Sequence, residues 1–291
     1  MIRPRVLVIY KKSVYRIHVE ERRTSRVRDL LARGHPVVQR VVRAHAEHAA
    51  TIEVVRTVLR DLGARATFRF RREVGRTDGF DLIVTVGGDG TLLWVSHAVG
   101  QTPVLCVNSA PEDSVGFFAG ATRRNVADRL DAALRGKLRE TPLQRVEVLV
   151  DGRTIERRVL NDVLLCHVNP AAMSRYIMVH RRRVEDQKSS GIWIGPAAGS
   201  TAAQRSAGGV VLPPRSRLIQ YVVREAYDPR GAQKLVRGLV RPGDRFAILS
   251  RMHEARLYVD GPYRIHRVRL GEEVSVRLGS EPLHLLGFRR A

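Results

Sequence analysis

Aromatic residues are scarce in this 291-residue chain, at 5%. That leaves few ring faces for stacking nucleobases, and no nucleic-acid-binding motif stands among its arginines. Cysteine is scarcer still. Cys106 and Cys166 each sit in an apolar, strand-like stretch, which excludes a disulfide scaffold and predicts two reduced core thiols. No apolar run approaches the ~20 residues that cross a bilayer, so no membrane partner is expected. The opening Met1-Ile2-Arg3-Pro4-Arg5 leads into a strand without a secretory apolar core, and the expected location is cytoplasmic. Acidic residues are few beside basic ones, 29 against 51, for a formal net charge of +22. Such a surplus attracts polyanions and steers nucleotides inward. The arginines are scattered, however, with only short runs such as Arg181-Arg182-Arg183, so no specific nucleic-acid partner is expected. Repeats and low-complexity tracts are missing too. What remains is 44% apolar and long enough for two modest cores, which predicts two domains.

The most informative stretch runs from Phe80 to Leu93. Leu82-Ile83-Val84-Thr85-Val86 has the unbroken apolar and β-branched character of a fully buried strand. Gly87, Gly88 and Gly90 then permit a sharp turn and a close approach of backbone to ligand. Thr91 is placed to cap a helix through Leu92, Leu93 and Val95 to Gly100. Strand, glycine turn and helix start together make an anion site, because free N–H groups and the helix dipole both favour phosphate. Asp89 lies inside that cradle. A carboxylate repels phosphate, so its presence points to a base for a hydroxyl or to a metal contact.

Around this centre the first half alternates strands and helices. Arg5–Tyr10 and Ala66–Phe70 are predicted strands, and Val37–Leu62 is a predicted helix closed at Gly63. Within that helix His45 and His48 stand about one turn apart with no third ligand beside them, so a metal site is not expected. Pro103–Asn108 is another buried strand, followed by a polar loop backed by Phe117 and Phe118, and Thr122–Leu138 is a predicted helix. This order predicts a doubly wound parallel sheet, whose ligands sit beyond the carboxyl ends of its strands, where Asp89 and Asn108 fall.

Near Thr141-Pro142 the pattern changes to short strands with turns such as Asp151-Gly152 and Asp260-Gly261. Predicted strands are Val146–Val150, Arg157–Leu165, Tyr176–Val179, Ile192–Ile194, Ile219–Val223, Arg245–Leu249, Ala255–Val259 and Val274–Leu278. The fold class is therefore an α/β N-terminal doubly wound parallel sheet plus a β-rich C-terminal domain. Two stretches are unusual. Asn161 and Asp162 interrupt an apolar strand, and Lys188 to Gly209 holds a loop of small residues with a capped helix start at Ser200 or Thr201. Successive small residues let a flat ligand or a second chain approach the backbone.

Gly87-Gly88-Asp89-Gly90-Thr91 after a buried strand resembles the phosphate-binding signature of the NAD kinase and diacylglycerol/sphingosine kinase superfamily, and is neither G-x-G-x-x-G nor a P-loop. Read with Asn108, Asn161, Gly199-Ser200-Thr201-Ala202, Ser206-Ala207-Gly208-Gly209, Val259-Asp260-Gly261 and Gly271-Glu272-Glu273, the chain is similar to the NAD kinases from Val6 to Leu286. It departs from them at Asp162, where the family has Glu, at Ser190, where it has Asp, and at Ala203, where it has Tyr. The wording around Ser189-Ser190-Gly191 and Tyr221-Val222-Val223-Arg224-Glu225 resembles the NADH kinase, mitochondrial and plant-type branch.

The resemblance implies transfer of the γ-phosphoryl of ATP to the 2′-hydroxyl of the adenosine ribose of NAD(H). It implies that Asp89 takes the hydroxyl proton, and that Gly87, Gly88, Gly90 and Thr91 hold the phosphates of ATP. Mg²⁺, or another divalent cation, is implied on those phosphates rather than on a metal site of the protein. Asn108, Asn161, Asp162, Ser190, Ser200, Thr201, Ala202 and Ser206 are implied to contact NAD(H). Residues 1–139 are then the phosphate-donor and catalytic-turn domain, and 140–291 the dinucleotide domain, with roughly the last 15 residues packing back on the first. A homo-oligomer is expected, a dimer above others. Ser190 lacks a carboxylate to favour the charged nicotinamide, so NADH is expected to serve at least as well as NAD⁺ unless Glu185 or Asp186 restores the charge. The alternatives are a lipid kinase of the same superfamily, which lacks the Gly-Ser-Thr-Ala block, and an inactive nucleotide-binding regulator.

Overall fold

The computed structural model describes residues 3–228, 231 and 233–288; Met1 and Ile2 of the opening run and the last three residues lie outside the described residues. It divides into two compact units, residues 1–141 with 284–290, and residues 142–283.

In the first unit, strands β1 (Arg5–Tyr10), β2 (Arg65–Phe70), β3 (Leu82–Gly87) and β4 (Val104–Asn108) form the centre of a sheet in the order β2-β1-β3-β4, all parallel. Two-residue β5 (Ala121–Thr122) pairs with β4. Strands β1, β3 and β4 are built largely of Val, Ile and Leu because both faces are covered, whereas the edge strand β2 is Arg-Ala-Thr-Phe-Arg-Phe and only partly buried. Val6, Val8, Val84 and Val86 pack on Val55 and Leu59, while Leu7, Ile9 and Ile83 on the opposite face are just as buried. Each such side chain contributes about 1.5–3 kcal/mol by leaving water. The helices are α1 (Ser25–Ala32), α2 (Pro36–Asp61), α3 (Asp89–Ser96) and α4 (Val126–Leu134). Pro36 opens α2 and Gly63, at φ +70°, follows its end. The strand order reverses direction between β1 and β3, which makes their carboxyl ends the natural ligand position of the sheet.

The remaining strands are β6 (Glu140–Leu143), β7 (Val146–Val150), β8 (Arg153–Val159), β9 (Val163–His167), β10 (Ser174–His180), β11 (Arg183–Ser189), β12 (Ile192–Pro196), β13 (Ile219–Val223), β14 (Arg237–Val240), β15 (Phe246–Ser250), β16 (Ala255–Val259), β17 (Arg264–Val268), β18 (Glu273–Leu278) and β19 (Leu283–Leu286). β19 adds to the first sheet, parallel to β4. The second unit holds two antiparallel six-stranded sheets, β11-β10-β15-β18-β7-β8 and β14-β13-β12-β9-β16-β17. One apolar core that includes Val148, Tyr176, Ile194, Tyr221, Phe246 and Leu257 joins them as a sandwich. This is the α/β plus β-rich architecture that the sequence predicts.

Several boundaries differ from expectation. Thr91 is not the cap of α3: the helix begins at Asp89 behind Gly88, and ends at Ser96 rather than Gly100. The expected helix over Thr122–Leu138 shortens to α4, because the Asn125 side chain accepts the Thr122 N–H at 2.8 Å and holds a turn there. The expected strand Arg157–Leu165 is broken into β8 and β9 by Leu160-Asn161-Asp162, whose N–H groups turn to another acceptor. The small-residue loop is a 3₁₀ turn, Ala197–Thr201, and the helix after it, α5 (Ala203–Ser206), starts behind Ala202 rather than at Ser200 or Thr201.

Candidate active site

Gly87 ends β3 in register with Asn108 of β4. A Cβ on Gly87 would overlap the Thr91 hydroxyl, and one on Gly88 would press within 2.6 Å of Ser114 Oγ. Gly90 is different. Nothing stands within 4 Å of its Cβ position, so packing does not demand a glycine there. No side chain caps α3; the Thr91 N–H bonds the Gly88 carbonyl at 2.8 Å, which leaves the Asp89 and Gly90 N–H groups to whatever binds. The Thr91 hydroxyl is buried without a hydrogen-bond partner.

Asp89 is held from the loop after β4. Its two carboxylate oxygens accept one backbone N–H each, from Phe117 at 2.9 Å and Phe118 at 3.0 Å. Each oxygen keeps a further lone pair for a proton. Asn108 braces the same loop, donating to the Ser114 carbonyl at 2.9 Å and accepting the Ala110 N–H at 3.2 Å. Gly116, at φ +55°, clears the Asn108 side chain. From α2, Arg40 and Arg43 grip Asp113 at 2.6 and 3.3 Å, so the loop is tied down at both ends.

Lys11, unmarked by the sequence, and His48, weighed there only as a metal ligand, complete this half. Lys11, at the end of β1, lies against Gly87. Burial, then the charge of Arg71, holds its ammonium below the usual lysine value, with Asp113 partly offsetting them. His48 joins the ends of two strands, with Nε2 2.7 Å from the Lys11 carbonyl and Nδ1 2.8 Å from Ser109 Oγ. Burial pushes its imidazole down to about 4, so it is neutral. A carbonyl can only accept, so Nε2 donates and Nδ1 accepts from the hydroxyl. His45 turns elsewhere, to Ser13 Oγ and a stacked Tyr15 ring. The α2 histidines are struts.

The second unit gathers Asn161, Asp162 and Ser200. Asp260, at φ +48° in the turn after β16, accepts the N–H groups of Leu160, Asn161 and Asp162 at 3.0, 2.7 and 3.1 Å. That carboxylate fixes the break between β8 and β9. Asn161 Nδ2 donates to the Asp162 carboxylate at 2.7 Å, and a Cβ on Gly199 would collide with the Asn161 carbonyl. Asp162 is only 5% exposed. Burial and then Asp260 raise its carboxyl to about 7, against the opposing Asn161 hydrogen bond. Ser200 Oγ donates to the Ala197 carbonyl and accepts from Leu212 N–H, so its hydroxyl is engaged within the fold. Gln204, fully buried behind Gly195, keeps an amide nitrogen without a partner. Thr201 and Ala202 are half-buried beside it and Ser206 is exposed on α5. Ser190 is not part of this group. β12 separates it from Gly195 by five residues, about 17 Å at ~3.4 Å per residue.

The two parts comprise a phosphate cradle with a fixed carboxylate and a polar break lined by small residues. Residues 7–138 match the model of the ATP-NAD kinase N-terminal domain. A probable NADH kinase of Oryza sativa subsp. japonica is 36% identical over 219 residues, covering 67% of each chain. The chain belongs to the NAD kinase family. The kinase is thus a phosphotransferase, and its fold agrees with that of solved relatives. Yeast NADH kinase complexed with NADH superposes with TM-score 0.70 at 17% identity over 98% of this chain and 84% of its own. An NAD kinase from Archaeoglobus fulgidus in complex with ATP gives 0.67 at 18% identity over 97% and 92%.

Lys11, Phe117, Phe118 and Asp260 are the residues of this kinase that the sequence left unassigned. Asp260 alone carried a signal, because Asp-Gly between two strands marks a tight turn, though nothing local shows what its side chain holds. The phenylalanines act through backbone N–H groups, which carry no side-chain signature at all.

Proposed function

We propose that this kinase transfers the γ-phosphoryl group of ATP to the 2′-hydroxyl of the adenosine ribose of NAD(H), with NADH accepted at least as well as NAD⁺. The observation that carries the reading is the Asp89 carboxylate, aimed by two loop N–H groups from within a glycine turn. Asp89 accepts the 2′-hydroxyl proton as that oxygen bonds to the γ-phosphorus, and the bond from phosphorus to the ADP oxygen breaks. Gly87, Gly88, Gly90 and Thr91 hold the donor phosphates at the start of α3, and Lys11 adds a cation beside them. Asn161 and Asp162 receive the adenosine end of the acceptor, with Ser200, Thr201, Ala202 and Ser206 contributing from the segment whose Gly199 packs against Asn161, and Asn108 bracing the catalytic loop. Residues 1–139 thus supply the donor side and 140–291 the dinucleotide side.

Among the described residues no three His, Cys, Asp or Glu side chains gather into a metal cage. At the glycine turn the Asp89 carboxylate is the donor that would face Mg²⁺ carried on the phosphates of ATP. Bound there, the ion supplies positive charge that spreads the charge of the transferring group.

Asp89→Asn tests the assignment. Asn cannot take the proton, so turnover is expected to fall roughly 10²–10⁴-fold. Asn also retains only one acceptor for the two loop N–H groups, so melting temperature and ATP affinity are measured alongside. A folded variant that binds ATP and turns over near the wild-type rate would remove Asp89 from the chemistry.

A further inference from the structure

Strands β10 and β11 join through two residues, Arg181-Arg182, with Arg181 at φ +57°. Two-residue hairpin turns favour Asn, Asp and Gly for their backbone freedom, so arginine gains nothing conformationally there. Arg183 follows at once, and the three arginines line a cavity of about 520 Å³. Lys234, from the segment leading into β14, and Arg237, the first residue of β14, line it too, and the buried Tyr221 and the ring of His180 complete the wall. β11 and β14 are edge strands of the two sheets of the sandwich. The Glu185 carboxylate ties these edges together by accepting the N–H groups of Lys234 and Leu235 at 2.9 and 2.8 Å.

The charge in this cavity is poorly balanced. Asp244 is bound through both oxygens by Arg181, at 3.0 and 3.1 Å, and also accepts the Arg241 N–H. Glu185 is engaged as described, and Arg237 donates to the Gly208 carbonyl. Arg182, Arg183 and Lys234 have no carboxylate within ion-pair distance among the described residues. Charges on edge strands commonly deter edge-to-edge pairing, a task that does not require them to line one cavity. Here they converge on one concavity of a size that takes a nucleotide-sized ligand. Guanidinium groups bind phosphate oxygens in pairs, and no other common anion offers as many such oxygens in a chain.

We propose that this cavity is a second anion site, built for an oligophosphate chain such as a nucleoside triphosphate or a free inorganic oligophosphate carries. It uses none of the residues assigned to phosphoryl transfer. The test is calorimetric titration of tripolyphosphate into the full chain at about 150 mM salt, where exposed charges are largely screened. The double variant Arg182→Ser/Lys234→Ser is expected to lose one binding step of the wild type, weakened about tenfold or more. The control Arg153→Ser/Arg157→Ser removes equal charge from β8, the opposite edge of the same sheet, and is expected to leave that step intact. Turnover at saturating substrates is expected to stay unchanged in both. An isotherm identical to wild type in the double variant would overturn the site. So would an equal loss in the control, which would reduce the effect to net charge. Arg183→Gln repeats the measurement should the double variant fail to fold. With ATP·Mg²⁺ as titrant, tighter binding at the same step assigns a nucleotide, and equal binding a free oligophosphate. Binding of an RNA oligomer alone, with neither probe, would overturn the proposal.

Discussion

Lys11 stands beside the glycine turn without a carboxylate in ion-pair range among the described residues, and burial already disfavours its charge. A phosphate at the start of α3 would supply the missing partner. Lys11→Met keeps much of the stem's packing and removes the charge. The KM for ATP should rise roughly tenfold while that for the dinucleotide holds, as expected for loss of one charge-assisted contact. An unchanged KM for ATP would separate Lys11 from the donor. Asp162 presents the opposite case, an acid whose pKa rises on folding to about 7. The folded chain then holds a proton that the unfolded chain has released, so stability falls as pH rises from about 4 through 7. Asp162→Asn, neutral throughout, should therefore melt above the wild type at pH 8, with the gap closing toward pH 4. A gap that is constant with pH would show that Asp162 is not held protonated. None of this was legible in Leu160-Asn161-Asp162, because the burial that raises Asp162 comes from the fold and the second cause, Asp260, lies 98 residues away.

At the scale of elements, the glycine turn separates residues that the fold needs from one that it does not. Gly87→Ala would force Thr91 aside, whereas Gly90→Ala meets only open space and improves helix propensity. Gly87→Ala should lower the melting temperature. Gly90→Ala should leave it unchanged or raise it, yet weaken ATP binding by placing a methyl group where phosphate approaches. Equal ATP affinity in Gly90→Ala and wild type would contradict the phosphate cradle. The buried strands β1, β3 and β4 were legible because full burial forces continuous apolar runs. Strand β11, Arg-Val-Glu-Asp-Gln-Lys-Ser, was not, since an edge strand can be polar throughout. The start of α3 differs from expectation because Thr91 offers a capping hydroxyl in sequence, while the geometry of the turn sets the cap at Gly88, a residue nearly as favourable there.

For the whole molecule, the change from a sheet flanked by helices to antiparallel strands was visible near Thr141-Pro142, and the units divide at Thr141. The surplus of 22 positive charges favours anionic nucleotides in general and disfavours a cationic ring in particular. Ser190 brings no compensating carboxylate: Asp186 pairs with Arg251 and Glu185 holds the Lys234 and Leu235 N–H groups. A carboxylate about 5 Å from an oxidised nicotinamide would favour it by up to ~3 kcal/mol at an effective dielectric near 20. The decisive measurement is kcat/KM for NADH and NAD⁺ with ATP·Mg²⁺, in the wild type and in Ser190→Asp, with the product confirmed as the 2′-phosphate. The account predicts that NADH equals or exceeds NAD⁺ in the wild type and that Ser190→Asp shifts the ratio toward NAD⁺. A strong wild-type preference for NAD⁺, or a ratio unmoved by Ser190→Asp, would contradict it.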